Sequence, residues 1–131
     1  MANDNQLTIL RSGVDAWNDW RTANQEEAID LDGANLSGMN LAGAHLEDAN
    51  LSKANLSKAN LNYVYLENAN LESANLEGAN LKDAHLAGAN LSGTNLSGAN
   101  LFDADLQDAD LRGANLKYAN LEDANYKGAR R

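Results

Sequence analysis

Residues 66–80 read LENANLESANLEGAN, three copies of one five-residue unit, and this stretch decides the fold. Outward from it the register holds in both directions. A leucine stands at 31 and at every fifth position through 121, nineteen in all, and Tyr126 fills the next slot. Two positions before each central residue sits a small residue, nearly always alanine, with Ile29, Met39, Val64 and Thr94 as departures. One position before is Asn or Asp, except at His45, Tyr65, His85 and Arg130. The unit is A-(N/D)-L-x-x.

A period of five fits neither regular element. An α-helix turns about 100° per residue, so leucines five apart would step by about 140° and spread around its circumference. On a flat strand an odd period sends alternate leucines to opposite faces. Only a chain that bends once per repeat keeps every leucine inside. The turn chemistry agrees: two residues after the central position stand Gly33, Gly38, Gly43, Gly78, Gly88, Gly93, Gly98, Gly113 and Gly128, or an Asp or Asn at 48, 68, 83, 103, 108 and 123. These types tolerate positive φ or bond locally to the backbone. The chain has no proline, as stacked coils that use every N–H require.

These residues resemble the pentapeptide-repeat proteins. The resemblance covers Ile29–Arg130 and implies an all-β solenoid, a right-handed quadrilateral parallel β-helix. Twenty units at four per coil give about five coils. At about 4.8 Å per rung the rod is roughly 24 Å long. Stacking supplies the stability that one coil lacks, and a Leu/Ala interior leaves no ligand cavity. The asparagines before each leucine are expected to close turns or bond along the stack.

Residues 1–28 do not repeat and form the second part of the chain, with residues 29–131 as the β-helix. Leu7, Leu10, Val14 and Trp17 fall at helical spacing, followed by Trp20 and Arg21. Asn5 is a candidate N-cap, and Gly13 marks a kink or splits the segment in two. The expected role is a short α-helical cap over the apolar end of the stack, which a solenoid needs; a partner-binding helix is the alternative. The other end carries only Lys127–Arg131 after Tyr126. Either Tyr126 plugs the last coil, or an uncovered edge favours pairing, so the expected state is a monomer or an end-to-end homodimer.

Composition narrows the function. A net charge of −9 argues against nucleic acid and anionic membranes as direct partners, because phosphate binding needs clustered Lys and Arg. No apolar run is long enough to span a membrane, which makes the cytoplasm the default location. Cysteine is absent, so Cys–His nucleophiles are excluded, and no phosphate-binding loop or H-E-x-x-H stands in the chain. The serines after the central leucines have no base beside them, and paired acids on a convex rod lack the cleft that raises a carboxyl pKa. No catalytic residue, cofactor or metal is assigned.

Positions 20 apart stack if four repeats make a coil, which places His45, Tyr65, His85 and Asp105 in one column. The two histidines would lie about 9.6 Å apart at the backbone, too far to share one ion. Residues 61–65 (LNYVY) depart from the unit at Tyr63, Val64 and Tyr65. Together with His45, His85 and Phe102, Tyr63 and Tyr65 form a candidate protein-interaction patch straddling one corner, of the aromatic kind enriched at interfaces. Drift at exposed positions is the bland alternative. The expected function is therefore a non-catalytic scaffold or adaptor for an unidentified protein partner. Some members of the family protect topoisomerases by mimicking DNA, and that reading stands second. The interspersed Lys53, Lys58, Lys82, Arg112 and Lys117 weaken it.

Overall fold

Each repeat has five backbone N–H groups, and where each goes determines the coil. The computed structural model describes all 131 residues. The N–H two before a central residue closes a turn, as Ala54 donates to the Leu51 carbonyl at 3.1 Å. The N–H one before reaches back one coil, Asn50 to Ile29, and the central N–H reaches forward, Leu31 to Asn50. The last N–H also reaches forward, Gly33 to the Ser52 carbonyl. The remaining one, just after the central residue, lies inside the turn. It is taken by the Asn or Asp side chain two residues earlier, as Ser57 N–H donates to Asn55 Oδ1 at 3.1 Å. In an interior repeat that carries the Asn or Asp, all five donors are thus assigned and the backbone carries no penalty, and the sequence requirement for Asn or Asp acquires its cause.

Every bridge between coils joins residue i to i+20, seventeen single-residue parallel bridges from Asp30↔Asn50 to Asp110↔Arg130. Four repeats therefore complete one coil, and the twenty repeats make five. The sides are flat for one residue only, so these are bridges rather than extended strands. All twenty turns have the third residue at positive φ, from 57° to 76°. With the hydrogen bond closing residue i to i+3, this is the type II pattern. Lys53, Lys58, Tyr63, Ser73 and Tyr118 adopt it beside the expected Gly, Asp and Asn.

Side 1 is centred on Leu31, Leu51, Leu71, Leu91 and Leu111; side 2 starts at Leu36, side 3 at Leu41 and side 4 at Leu46, each recurring every twenty residues. The central leucines through Leu106 are fully buried. Each contributes on the order of 1.5–3 kcal/mol by burial. Thr94, alone among the inward small positions in carrying a hydroxyl, is buried too, and its Oγ1 donates to the Leu71 carbonyl at 2.8 Å. Asparagine side chains also bond along the stack, Asn60 Nδ2 to Asn40 Oδ1 at 3.2 Å and Asn120 to Asn100 at 3.3 Å.

The N-terminal segment forms two helices, α1 (Asp4–Arg11) and α2 (Val14–Ala23). The division falls at Gly13, whose φ of 121° no other residue type holds readily. The cap of α1 is Asn3, not Asn5: Asn3 Oδ1 accepts the Gln6 N–H at 3.0 Å, while Asn5 lies within the helix. Leu10 and Trp17 are fully buried in one core with the leucine stack, and Leu7 and Val14 pack against it partly buried. Gln6, unremarked in the sequence, is buried as well. Its amide bridges the Ala28 carbonyl and the Asp30 N–H, both at 2.8 Å.

At the opposite end, Leu116 and Leu121 are only partly buried, and Tyr126 is 46% exposed. The Arg131 guanidinium lies 4.9 Å from the centroid of the Tyr126 ring. No helix is long and apolar enough to cross a membrane.

Candidate functional site

Three of the four sides carry an unbroken column of Asn or Asp before the central leucine. Side 4 does not. There the column reads His45, Tyr65, His85, Asp105, Asn125, joined rung to rung by bridges. The first three rings lie parallel: His45 and Tyr65 centroids are 4.3 Å apart at 6°, and Tyr65 and His85 4.7 Å apart at 5°. The faces of the stack cover each other, so the surface meets ring edges. Tyr65 also separates the two imidazoles, which removes any shared ion from consideration.

The substitution has a consequence for the backbone. Seventeen of the twenty turns hold the inner N–H with an Asn or Asp oxygen. The three that do not are those of Glu47, Glu67 and Ala87, two residues after His45, Tyr65 and His85, and these N–H groups have no partner in the chain. Sequence reading found the ring column but not these donors. The signal was present as the missing Asn or Asp, and its meaning depends on knowing what the asparagines bond.

Tyr63 and Phe102 sit on the turns of side 3, at the corner leading into side 4. Tyr63 is 53% exposed. The two do not meet: they stand two coils apart, with Lys82 between them and its Nζ 6.0 Å from the Phe102 ring. Neither joins the stack of His45, Tyr65 and His85. The five candidate residues thus form one tight column and two separate rings on the adjoining corner.

Around them the chemistry is polar. His45 Nδ1 lies 3.2 Å from both oxygens of Glu47. Above His45, α2 and the first coil enclose an open cleft of about 310 Å³ lined by Arg21, Thr22, Gln25, His45, Glu47 and Asp48. Arg21 is committed there, donating to the Glu47 carbonyl at 2.9 Å. Oδ1 of Asn62 and Oε1 of Glu67, on either side of Tyr65 in sequence, are enclosed without a donor. Two carboxyls elsewhere are held below their usual range. The Ser52 hydroxyl and the N-terminal ammonium lower that of Asp32. The Arg112 guanidinium, bonded through Nε at 2.9 Å and Nη2 at 2.7 Å, brings Asp110 to about 2. Both are exposed surface pairs on side 1, away from the ring column.

Rfr23 from the cyanobacterium Cyanothece 51142, a pentapeptide repeat protein, is 34% identical over 86% of this chain and 96% of its own, with a TM-score of 0.42. HetL from Nostoc sp. strain PCC 7120, described as involved in heterocyst differentiation regulation, is also 34% identical over 77% of this chain; the chain spans 63% of its length, and the TM-score is 0.40. QnrB1, a plasmid-mediated fluoroquinolone resistance protein, is 24% identical over 76% of this chain and 59% of its own, at a TM-score of 0.45. No curated protein matches. A family model described as pentapeptide repeats (8 copies) matches residues 29–67, 65–103 and 95–130. Its fold is the right-handed quadrilateral β-helix, in keeping with the twenty-residue register found here. The chain belongs to the pentapeptide-repeat family.

Proposed function

We propose that the chain is a non-catalytic rigid scaffold whose side 4, with the adjoining corner of side 3, binds a protein partner. The observation that supports this is the ring column. At three successive rungs the asparagine that completes the turn has been replaced by a ring, at the cost of a backbone hydrogen bond each time. Helices α1 and α2 serve as the cap of the first coil in this reading, through Leu10 and Trp17. A rod whose interior is filled with leucine and alanine holds its surface residues at fixed spacing, so side 4 reaches a partner already ordered. The partly exposed last coil is the surface through which two copies would pair end to end.

The test is an affinity capture from the native cell extract, wild type beside a Tyr63→Ser, Tyr65→Asn variant whose fold is checked by circular dichroism. Loss of the captured partner with the variant is the expected result; retention by both would place recognition on another side. The topoisomerase-mimic reading has only the acidic net charge in its favour. A gyrase supercoiling assay unchanged at high excess of the protein would end it.

A further inference from the structure

The free donors, the carboxylates and the rings of side 4 specify what kind of ligand can lie there. Resting on the reading above, we infer that the strip formed by the ring column and the unpaired N–H groups of Glu47, Glu67 and Ala87 recognises a cationic polypeptide segment. The three N–H groups recur at rung spacing and call for acceptors. An anionic ligand such as a phosphate would supply acceptors, but Glu47, Asp48 and Glu67 stand beside them and repel it. A polypeptide offers uncharged carbonyl oxygens to the amides and, in the same segment, Arg or Lys side chains to the carboxylates.

Charge elsewhere on the rod points the same way. On sides 3 and 4 nine carboxylates face only Lys82 and Lys127, whereas sides 1 and 2 carry five carboxylates against five basic groups, Lys53, Lys58, Arg112, Lys117 and Arg130. The negative field is thus concentrated on the two sides that flank the rings, which favours a positive partner at that corner and no other. The cleft above His45 continues the strip toward α2. With Arg21 engaged on a backbone carbonyl, the Glu47 and Asp48 carboxylates leave the cleft suited to one incoming basic side chain. Coil 2, which carries Tyr65, also holds the enclosed, donorless oxygens of Asn62 and Glu67.

The experiment titrates the full ¹⁵N-labelled chain with two synthetic peptides of equal length, one alternating Arg and Ser, the other alternating Glu and Ser. The Arg peptide is expected to shift the amides of Glu47, Glu67 and Ala87, and the Glu peptide to leave them in place. Raising the salt from about 0.05 to about 0.5 M should weaken the Arg peptide at least about tenfold. Glu47→Gln with Glu67→Gln should weaken it severalfold, and the charge-matched pair Glu72→Gln with Glu77→Gln, on sides 1 and 2, should not. A triple variant, His45→Asn, Tyr65→Asn and His85→Asn, restores the turn oxygens and should abolish the amide shifts with the fold kept. Equal weakening by both charge pairs, shifts spread over all four sides, or tighter binding of the Glu peptide would overturn the inference. If the native partner still needs Tyr65 while the Arg peptide fails to bind side 4, the scaffold reading stands and the cationic assignment alone falls.

Discussion

At the first coil, side chains of α1 and α2 bond to the backbone. Trp17 donates to the His45 carbonyl at 2.9 Å, Asn18 both accepts from His45 N–H at 2.8 Å and donates to the Gly43 carbonyl at 3.1 Å, and Arg11 donates to the Asn35 carbonyl at 2.9 Å. At the fifth coil the corresponding N–H groups, among them Leu116, Leu121 and Tyr126, have no acceptor in the chain, and the leucines behind them are partly exposed. Identical repeats therefore differ in what they contribute according to whether something lies on both faces. In a solenoid the nearest-neighbour interface, not the repeat itself, carries the stability.

Substitution at the ends tests this most strongly. Trp17→Ala should cost about 3–5 kcal/mol by urea denaturation, as deletion of a buried ring does. Tyr126→Ala should stay within about 1 kcal/mol. Similar costs at both ends would show that the fifth coil is covered after all. Hydrogen exchange comes next: the Leu31 and Leu56 amides, bonded to the following coil, should exchange with the global opening. Leu116 and Leu121 should exchange through local fraying, faster by on the order of a hundredfold or more.

The turn oxygens give a smaller contrast. Asn75 Oδ1 accepts the Glu77 N–H at 3.0 Å in the middle of the stack, and Asn120 does the same for Glu122 in the last coil. Asn75→Ala should lose about 1 kcal/mol, and Asn120→Ala less, because water can reach the freed donor. The smallest effect is a titration. The Arg112 pairing depresses the Asp110 carboxyl from 3.8 to about 2. Its contribution to stability is therefore complete above the unfolded value and fades as the pH falls from 3.8 through about 2. A carboxyl NMR titration should place the midpoint near 2, and Arg112→Ala should return it toward 3.8.

Much of this was legible before any coordinates. Period five excluded helix and strand, and the recurrence of His45, Tyr65 and His85 at intervals of twenty gave the column. A lone glycine between two apolar stretches points to a kink or a split at Gly13, and the backbone takes the split. Other points needed geometry. Asn3 and Asn5 are equivalent as caps on paper, and only the path of the chain from the first coil, with Asn3 N–H on the Asp30 carbonyl at 2.8 Å, selects Asn3. Gln6 reads as a surface residue until its two partners are known. Tyr63 and Phe102 share side 3 as the spacing implies, and the same twenty-residue arithmetic places Lys82 on the rung between them.

The register of twenty also governs how such a chain tolerates change in length. Loss of one unit between Tyr65 and His85 would not shorten a side. Everything downstream would turn by about a quarter revolution relative to everything upstream, and His85 would come to rest over Asn60. Gain or loss of four units would return every residue to its own side. The sequence behaves as a counter that resets every fourth unit: small slips re-aim the surface and leave the core unaltered, and only a full cycle preserves what the rod displays.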